Sequence, residues 1–368
     1  MSRQRFLRAI KREDRLHSPI KALCGVSVLF AGFSCAAISQ EPATTLLSTR
    51  AIALNSATGK LYAAEPLHGG VAVYDPRTNS TTRLRTGSEP LAIAINEKTN
   101  RIYVVNHGSG TVSVVDGNTG SVISTIDVGA QPYVVAVNPA TDRAYVSNTF
   151  SDTVTVIDGV TNAVKKIRAG SADTILPDAQ RDKIFLAGYQ STKLVVLDKT
   201  PTITGEVKVG YHAWGLAVDS PRGLLYVTRS QDAAVLIIDE SSGATTSVST
   251  GSIPCAVALN PAKNRAYVVN HASNSVTVVD TAKRSAIATV PVGSSPQGIA
   301  IDPNSNRVYV ANNHSNTITV LDAASNTVLK TIPTGKNPYN VIVDPTTAYL
   351  YVALEGDPAF AAIDLNSN

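Results

Sequence analysis

Eight times along this chain an aromatic residue sits inside a short apolar run, and eight times an Asp closes the following run thirteen residues later. The aromatic anchors are Tyr62, Tyr103, Tyr145, Phe185, Tyr226, Tyr267, Tyr309 and Tyr351, spaced by 41, 42, 40, 41, 41, 42 and 42 residues. The aspartates are Asp75, Asp116, Asp158, Asp198, Asp239, Asp280, Asp322 and Asp364. Such a period commits the chain to one small unit built repeatedly, because a unit of about 40 residues buries its apolar faces only against its neighbours.

Each unit reads as four strands. In the second they are "LAIAIN", "RIYVVN", "TVSVVD" and "VISTIDV", rich in the β-branched residues that strands favour. Asp/Asn-Pro turns such as "NPATDR" and "DPNSNR" join the first strand to the second, and "DGNTG" or "DAASN" joins the third to the fourth. Links such as "VGAQP" carry the chain onward. No helical periodicity is present. Four-stranded units of this length predict an all-β β-propeller. Eight repeats are counted, with a seven-bladed ring as the alternative. The last unit stops after its third strand, so "ATTLLST" at 43–49 is expected to supply the fourth and close the ring.

Segments such as "RIYVVNHGSGTVSVVDGNTGSVISTIDVGAQP" and "RVYVANNHSNTITVLDAASNTVLKTIPTGKNP" resemble the YVTN-type β-propeller repeat family over nearly all of 50–366. The resemblance implies the fold strongly and a function weakly. The fourth unit, "IFLAGYQSTKLVVLDKTPTITGEVKVGYHAWG", departs most from the pattern.

Residues 1–40 differ from the rest. Seven Lys or Arg precede "ALCGVSVLFAGFSCAA", an apolar run followed by small residues. This is the pattern of a secretory leader, with 41–368 as the propeller domain. It predicts an exported protein, periplasmic or at the cell surface, that meets the membrane only if the leader stays uncleaved. The chain carries a net +4, but the leader holds seven basic residues against two acids, and the remainder holds 25 against 26. That leaves no basic face for nucleic acid. Cys24 and Cys35 lie in the leader, so Cys255 stands alone in the propeller, and neither a disulfide within it nor a cysteine zinc pair is expected.

In an antiparallel unit, the loop between the second and third strands shares a rim with the link between blades. His68, His107, His271 and His314 fall in such loops and His212 in a link, so all five are expected on one rim, along with Glu65 and Glu355. A metal held by His68, His107, His271, His314, Glu65 and Glu355 is the sharper reading. Turn residues without chemistry are the plainer and favoured one, and no resident cofactor is expected. Leu91, Tyr133, Thr174, Trp214, Cys255, Gln297 and Tyr339 follow the links and are expected to ring the channel mouth. That position varies inside a strict repeat, which is where specificity can be written. Tyr133, Trp214, Cys255, Gln297 and Tyr339, with the rim histidines His107, His212, His271 and His314, are therefore the ligand-binding candidates.

No nucleophile–base pair, GxSxG, HExxH or CxxCH motif occurs. The sequence favours a monomeric, non-enzymatic binding scaffold for a protein, small-molecule or envelope ligand. The alternative implied by resemblance is a propeller enzyme or a cofactor or metal carrier, lactonase-like or associated with quinone or haem.

Overall fold

The computed structural model describes residues 51–355 and 359–367. The expected leader, its two cysteines and the segment 43–49 lie outside them. Within the described residues every regular element is a strand, apart from two single-turn 3-10 helices, Pro66–His68 and Pro261–Lys263.

The strands form eight antiparallel sheets, each ordered first to last as in the chain, seven with four strands and the eighth with three. The first strands are Ile52–Asn55, Pro90–Asn96, Pro132–Asn138, Thr174–Asp178, Ala213–Asp219, Pro254–Asn260, Pro296–Asp302 and Val341–Asp344. Each lies beside the first strand of the next blade, and Val341–Asp344 lies beside Ile52–Asn55. The ring is therefore closed with eight blades, and the seven-bladed alternative is set aside.

Burial follows from this stacking. Second and third strands, such as Arg101–Asn106 and Thr111–Asp116, are buried along nearly their whole length because both faces meet a neighbouring blade. Fourth strands, such as Ser121–Asp127, alternate exposed and half-buried residues because they form the outer wall. Seven of the eight anchors are tyrosines packed fully inside. The Tyr267 hydroxyl donates to the Ala323 carbonyl at 3.2 Å, a bond that reaches into the next blade. Burial pushes the Tyr103, Tyr226 and Tyr267 phenols up to about 12.

On the lower face, each repeated Asp opens a turn. Asp116 Oδ1 accepts from the backbone N–H of Asn118 at 2.7 Å and Thr119 at 3.0 Å, and Asp322 Oδ1 accepts likewise from Ala324 and Ser325. These bonds favour the carboxylate and hold Asp116 and Asp322 below the ordinary range. The residue before Arg101, Arg143, Arg265 and Arg307 takes left-handed backbone, with φ of 51° at Asn100, 48° at Asp142, 52° at Asn264 and 55° at Asn306, which Asn and Asp tolerate.

On the upper face, Asn closes the second strand of four blades. Asn106 donates to Thr111 Oγ1 at 3.1 Å and Ser113 Oγ at 2.9 Å, and Asn312 donates to Thr317 at 3.1 Å and Thr319 at 2.8 Å. Asn148 and Asn270 make the same pair of bonds. Blades 1 and 5 replace this Asn with Glu65 and Arg229, each in an ion pair, with Arg83 and Asp232 respectively.

Candidate functional site

The upper rim is built by loops between second and third strands that hydrogen-bond the preceding link. The backbone N–H of His107 donates to Glu89, that of His271 to Ile253, and that of His314 to Ser294. In blade 4 the link residue His212 donates its N–H to Tyr189. These four histidines share the rim, as the strand order requires, and His68 follows the second strand of blade 1 on the same side.

Sharing a rim does not make them converge. His107 Nδ1 donates to the Pro132 carbonyl at 3.1 Å, and His271 Nδ1 donates to the Pro296 carbonyl at 3.2 Å. Asn313 and Ser230 make the same contact to Pro338 and Pro254, at 3.3 and 3.0 Å. In blades 2, 5, 6 and 7 the position four residues past the anchor is thus a clasp onto the next blade. His107, expected as a turn residue without chemistry, is half-buried and makes this clasp. His314 shares a hydrogen bond with Ser295 Oγ at 3.0 Å, Glu65 pairs with Arg83, and Glu355 accepts from Asn337. Among the described residues no three His, Cys, Asp or Glu side chains group to hold a metal.

Several residues expected at the mouth lie close to one another. Leu91 and Tyr133 share one apolar cluster. Cys255 Sγ lies 3.7 Å from the carbonyl oxygens of Pro296 and Gln297, and half-buried Trp214 packs against the cluster that holds Cys255. A Cβ on Gly298 would sit 2.5 Å from the Tyr339 carbonyl, which shows how closely blades 7 and 8 approach here. The first strands bulge at this level. In blade 2, Pro90 pairs with Asn106 and Ala92 with Val105, leaving Leu91 unpaired, and Tyr133 and Cys255 are passed over in the same way. A bulge re-aims a side chain away from the ordinary pleat.

One member changes. Thr174 pairs regularly with Ala187, at the register that Ala92 and Val134 occupy in blades 2 and 3. The residue that matches Tyr133 in blade 4 is Asp173, whose N–H donates to the Ala187 carbonyl at 2.8 Å. Thr174 instead donates its hydroxyl to the Trp214 carbonyl at 2.8 Å. The blade 4 link carries no proline to mark the position. Counting twelve residues back from each anchor finds Leu91, Tyr133, Asp173, Trp214, Cys255, Gln297 and Tyr339 without exception. The blade 1 counterpart, Arg50, lies outside the described residues.

Around Asp173 the chemistry concentrates. Asp173 Oδ2 accepts the Tyr189 N–H at 2.6 Å, and burial pushes its carboxyl above the ordinary range. Tyr133 is buried, its hydroxyl has no hydrogen-bond partner among the described residues, and burial together with the nearby Asp173 charge pushes its phenol up. Tyr189 stacks on His212, with ring centres 3.7 Å apart and planes at 13°, and on Trp214 at 5.0 Å and 29°. Burial holds the His212 imidazole below its ordinary range. Blades 3 to 5 therefore carry an aromatic platform edged by an acid and a buried phenol. Asp173 and Tyr189 were not among the sequence candidates; the offset from Phe185 could have found the first.

Residues 90–264 match the family described as YNCE-like beta-propeller, and residues 231–367 match the family described as Lactonase, 7-bladed beta-propeller. No curated protein matches the chain. Among solved structures, the dihydro-heme d1 dehydrogenase NirN in complex with DHE superposes with a TM-score of 0.74 at 14% identity, over 84% of this chain and 72% of that one. The Kuenenia stuttgartiensis hydrazine synthase superposes with a TM-score of 0.59 at 19% identity, over 89% and 98%. At these identities the likeness is one of fold, and the chain is a β-propeller.

Proposed function

We propose that this propeller binds a planar, conjugated small molecule at the channel mouth over blades 3 to 5, and works as an enzyme or cofactor carrier rather than as a passive scaffold. The observation that carries this reading is the Tyr189 stack on His212 and Trp214. Aromatic platforms with a polar edge are favoured anchors for flat ligands. The matches named for a lactonase and for a haem d1 dehydrogenase support small-molecule chemistry on this fold more than scaffolding. Export to the periplasm or cell surface is proposed from the leader alone.

Trp214 is the only tryptophan, so its emission reports the site directly. Purified protein titrated with hemin, flavin mononucleotide and anthraquinone-2-sulfonate should show saturable quenching by at least one of them. Tyr189→Ala should weaken that binding about tenfold, as expected for loss of one stacking partner. Quenching that stays unsaturated up to about 100 μM for every probe, equivalent to affinity too weak for a formed site, would overturn the reading.

A further inference from the structure

We infer that Tyr133 and Asp173 form the polar end of this site and take the carbonyl oxygen of a conjugated ligand whose ring lies against Trp214 and Tyr189. The inference rests on the platform proposed above and names the ligand class. Tyr133 and Asp173 hold the same ring position on adjacent blades, twelve residues before Tyr145 and Phe185. The polar and aromatic ends adjoin, because Asp173 is hydrogen-bonded to the backbone of Tyr189, whose ring stacks on Trp214.

The Tyr133 hydroxyl is the pointer. Tyr133 is 9% exposed, and among the described residues its buried oxygen has no partner. A buried donor left unmade is costly, so natural structures rarely keep one without a reason. Tyr103, Tyr145, Tyr226 and Tyr351 also have unpartnered hydroxyls, but they are anchors repeated inside the blade stack. Tyr133 is not an anchor; in this position the other blades carry Leu91, Asp173, Trp214, Cys255, Gln297 and Tyr339. Its phenol stays protonated, so it has a hydrogen to donate as well as an oxygen that can accept. Burial disfavours the charged form of Asp173, and where the acid holds its proton it too can donate. Together with the Tyr133 hydroxyl it then suits an acceptor oxygen and any negative charge that develops on it. An anionic carboxylate beside Asp173 would instead be repelled whenever Asp173 is ionised. The ligand class is therefore a planar conjugated carbonyl compound.

Anthraquinone-2-sulfonate and anthracene-2-sulfonate share size, plane and charge, and differ in two carbonyl oxygens. Calorimetric titration of the purified protein should give about tenfold tighter binding of the quinone, the usual worth of one buried hydrogen bond. Tyr133→Phe should abolish that preference while leaving anthracene-2-sulfonate unchanged. The same variant should melt at the same temperature as the parent or higher, since it removes an unsatisfied hydroxyl and keeps the ring. Equal affinities in the parent, or a preference that survives Tyr133→Phe, would overturn the inference. Trp214→Leu separates the two levels. If it weakens both probes while Tyr133→Phe changes neither, the polar end is wrong and the platform stands. If it changes neither probe, or if neither probe binds the parent, the platform fails and this inference with it.

Discussion

His107 on blade 2 donates its Nδ1–H to the carbonyl of Pro132 on blade 3, 3.1 Å away. The bond fixes the imidazole tautomer and ties one loop to the next link. Replacing His107 with Ala leaves a half-buried carbonyl without its donor and should cost about 1 kcal/mol. His107→Asn should recover most of it, because Asn313 makes the equivalent bond to Pro338 in blade 7. Urea unfolding midpoints check both variants; an alanine variant indistinguishable from the parent would make the contact incidental.

His271 makes the same clasp but is more deeply enclosed. Burial lowers its folded-state pKa from 6.5, the bond to the Pro296 carbonyl works against this, and the nearby His314 charge acts with burial. On acidification the unfolded imidazole takes its proton first. The stability linked to His271 is therefore complete above about pH 6.5 and falls as pH drops below it. His271→Asn keeps a donor for Pro296 and removes the titration. Its melting temperature should fall less than the parent's between about pH 7 and pH 5, a window above the ordinary carboxylate range. Parallel melting curves would argue against this.

The repeat, the strand order and the common rim were legible because they follow from periodicity and antiparallel geometry alone. Eight anchors with an Asp thirteen residues later leave little freedom, and the closed ring agrees with that count. The clasp was not legible. His107, His271 and Asn313 look like interchangeable turn residues until the next blade brings a proline carbonyl, 25 residues on, within reach. Asp173 was missed for a different reason. The link proline served as the local marker, and blade 4 lacks it, so Thr174 was read one residue out of register. The stack of Tyr189 on Trp214 depends on side-chain direction across a blade boundary, which no spacing encodes.

Gly298 tests how tightly the mouth is packed. A Cβ there would meet the Tyr339 carbonyl at 2.5 Å and Asn340 Cα at 2.8 Å, both backbone atoms that cannot rotate away. Gly298→Ala must push the first strands of blades 7 and 8 apart and should cost about 1–3 kcal/mol, as overpacking does. Gly205, with open space around its Cβ position, is the control, and Gly205→Ala in the fourth strand of blade 4, Ile203–Lys208, should change stability by less than about 0.5 kcal/mol. Chemical unfolding of the two variants side by side checks the contrast.

Asp173 makes the opposite pH prediction to the turn aspartates. Burial raises its folded-state pKa from 3.8, with only the Tyr189 N–H working against that. Below about pH 4 both states hold the proton and nothing is lost. As pH rises, the unfolded carboxyl ionises first, and stability falls until the folded pKa is passed. Asp173→Asn keeps an oxygen for the Tyr189 N–H and cannot ionise. The variant's melting temperature minus the parent's should therefore grow from about pH 4 upward and then level off. Asp116, Asp158, Asp239 and Asp322, held low by hydrogen bonds from turn N–H groups and, at Asp239, first from the Ser241 hydroxyl, contribute equally to both proteins and drop out of the difference. A flat difference would mean that Asp173 ionises in the fold as easily as in water, and the two-donor arrangement with Tyr133 would lose its acid.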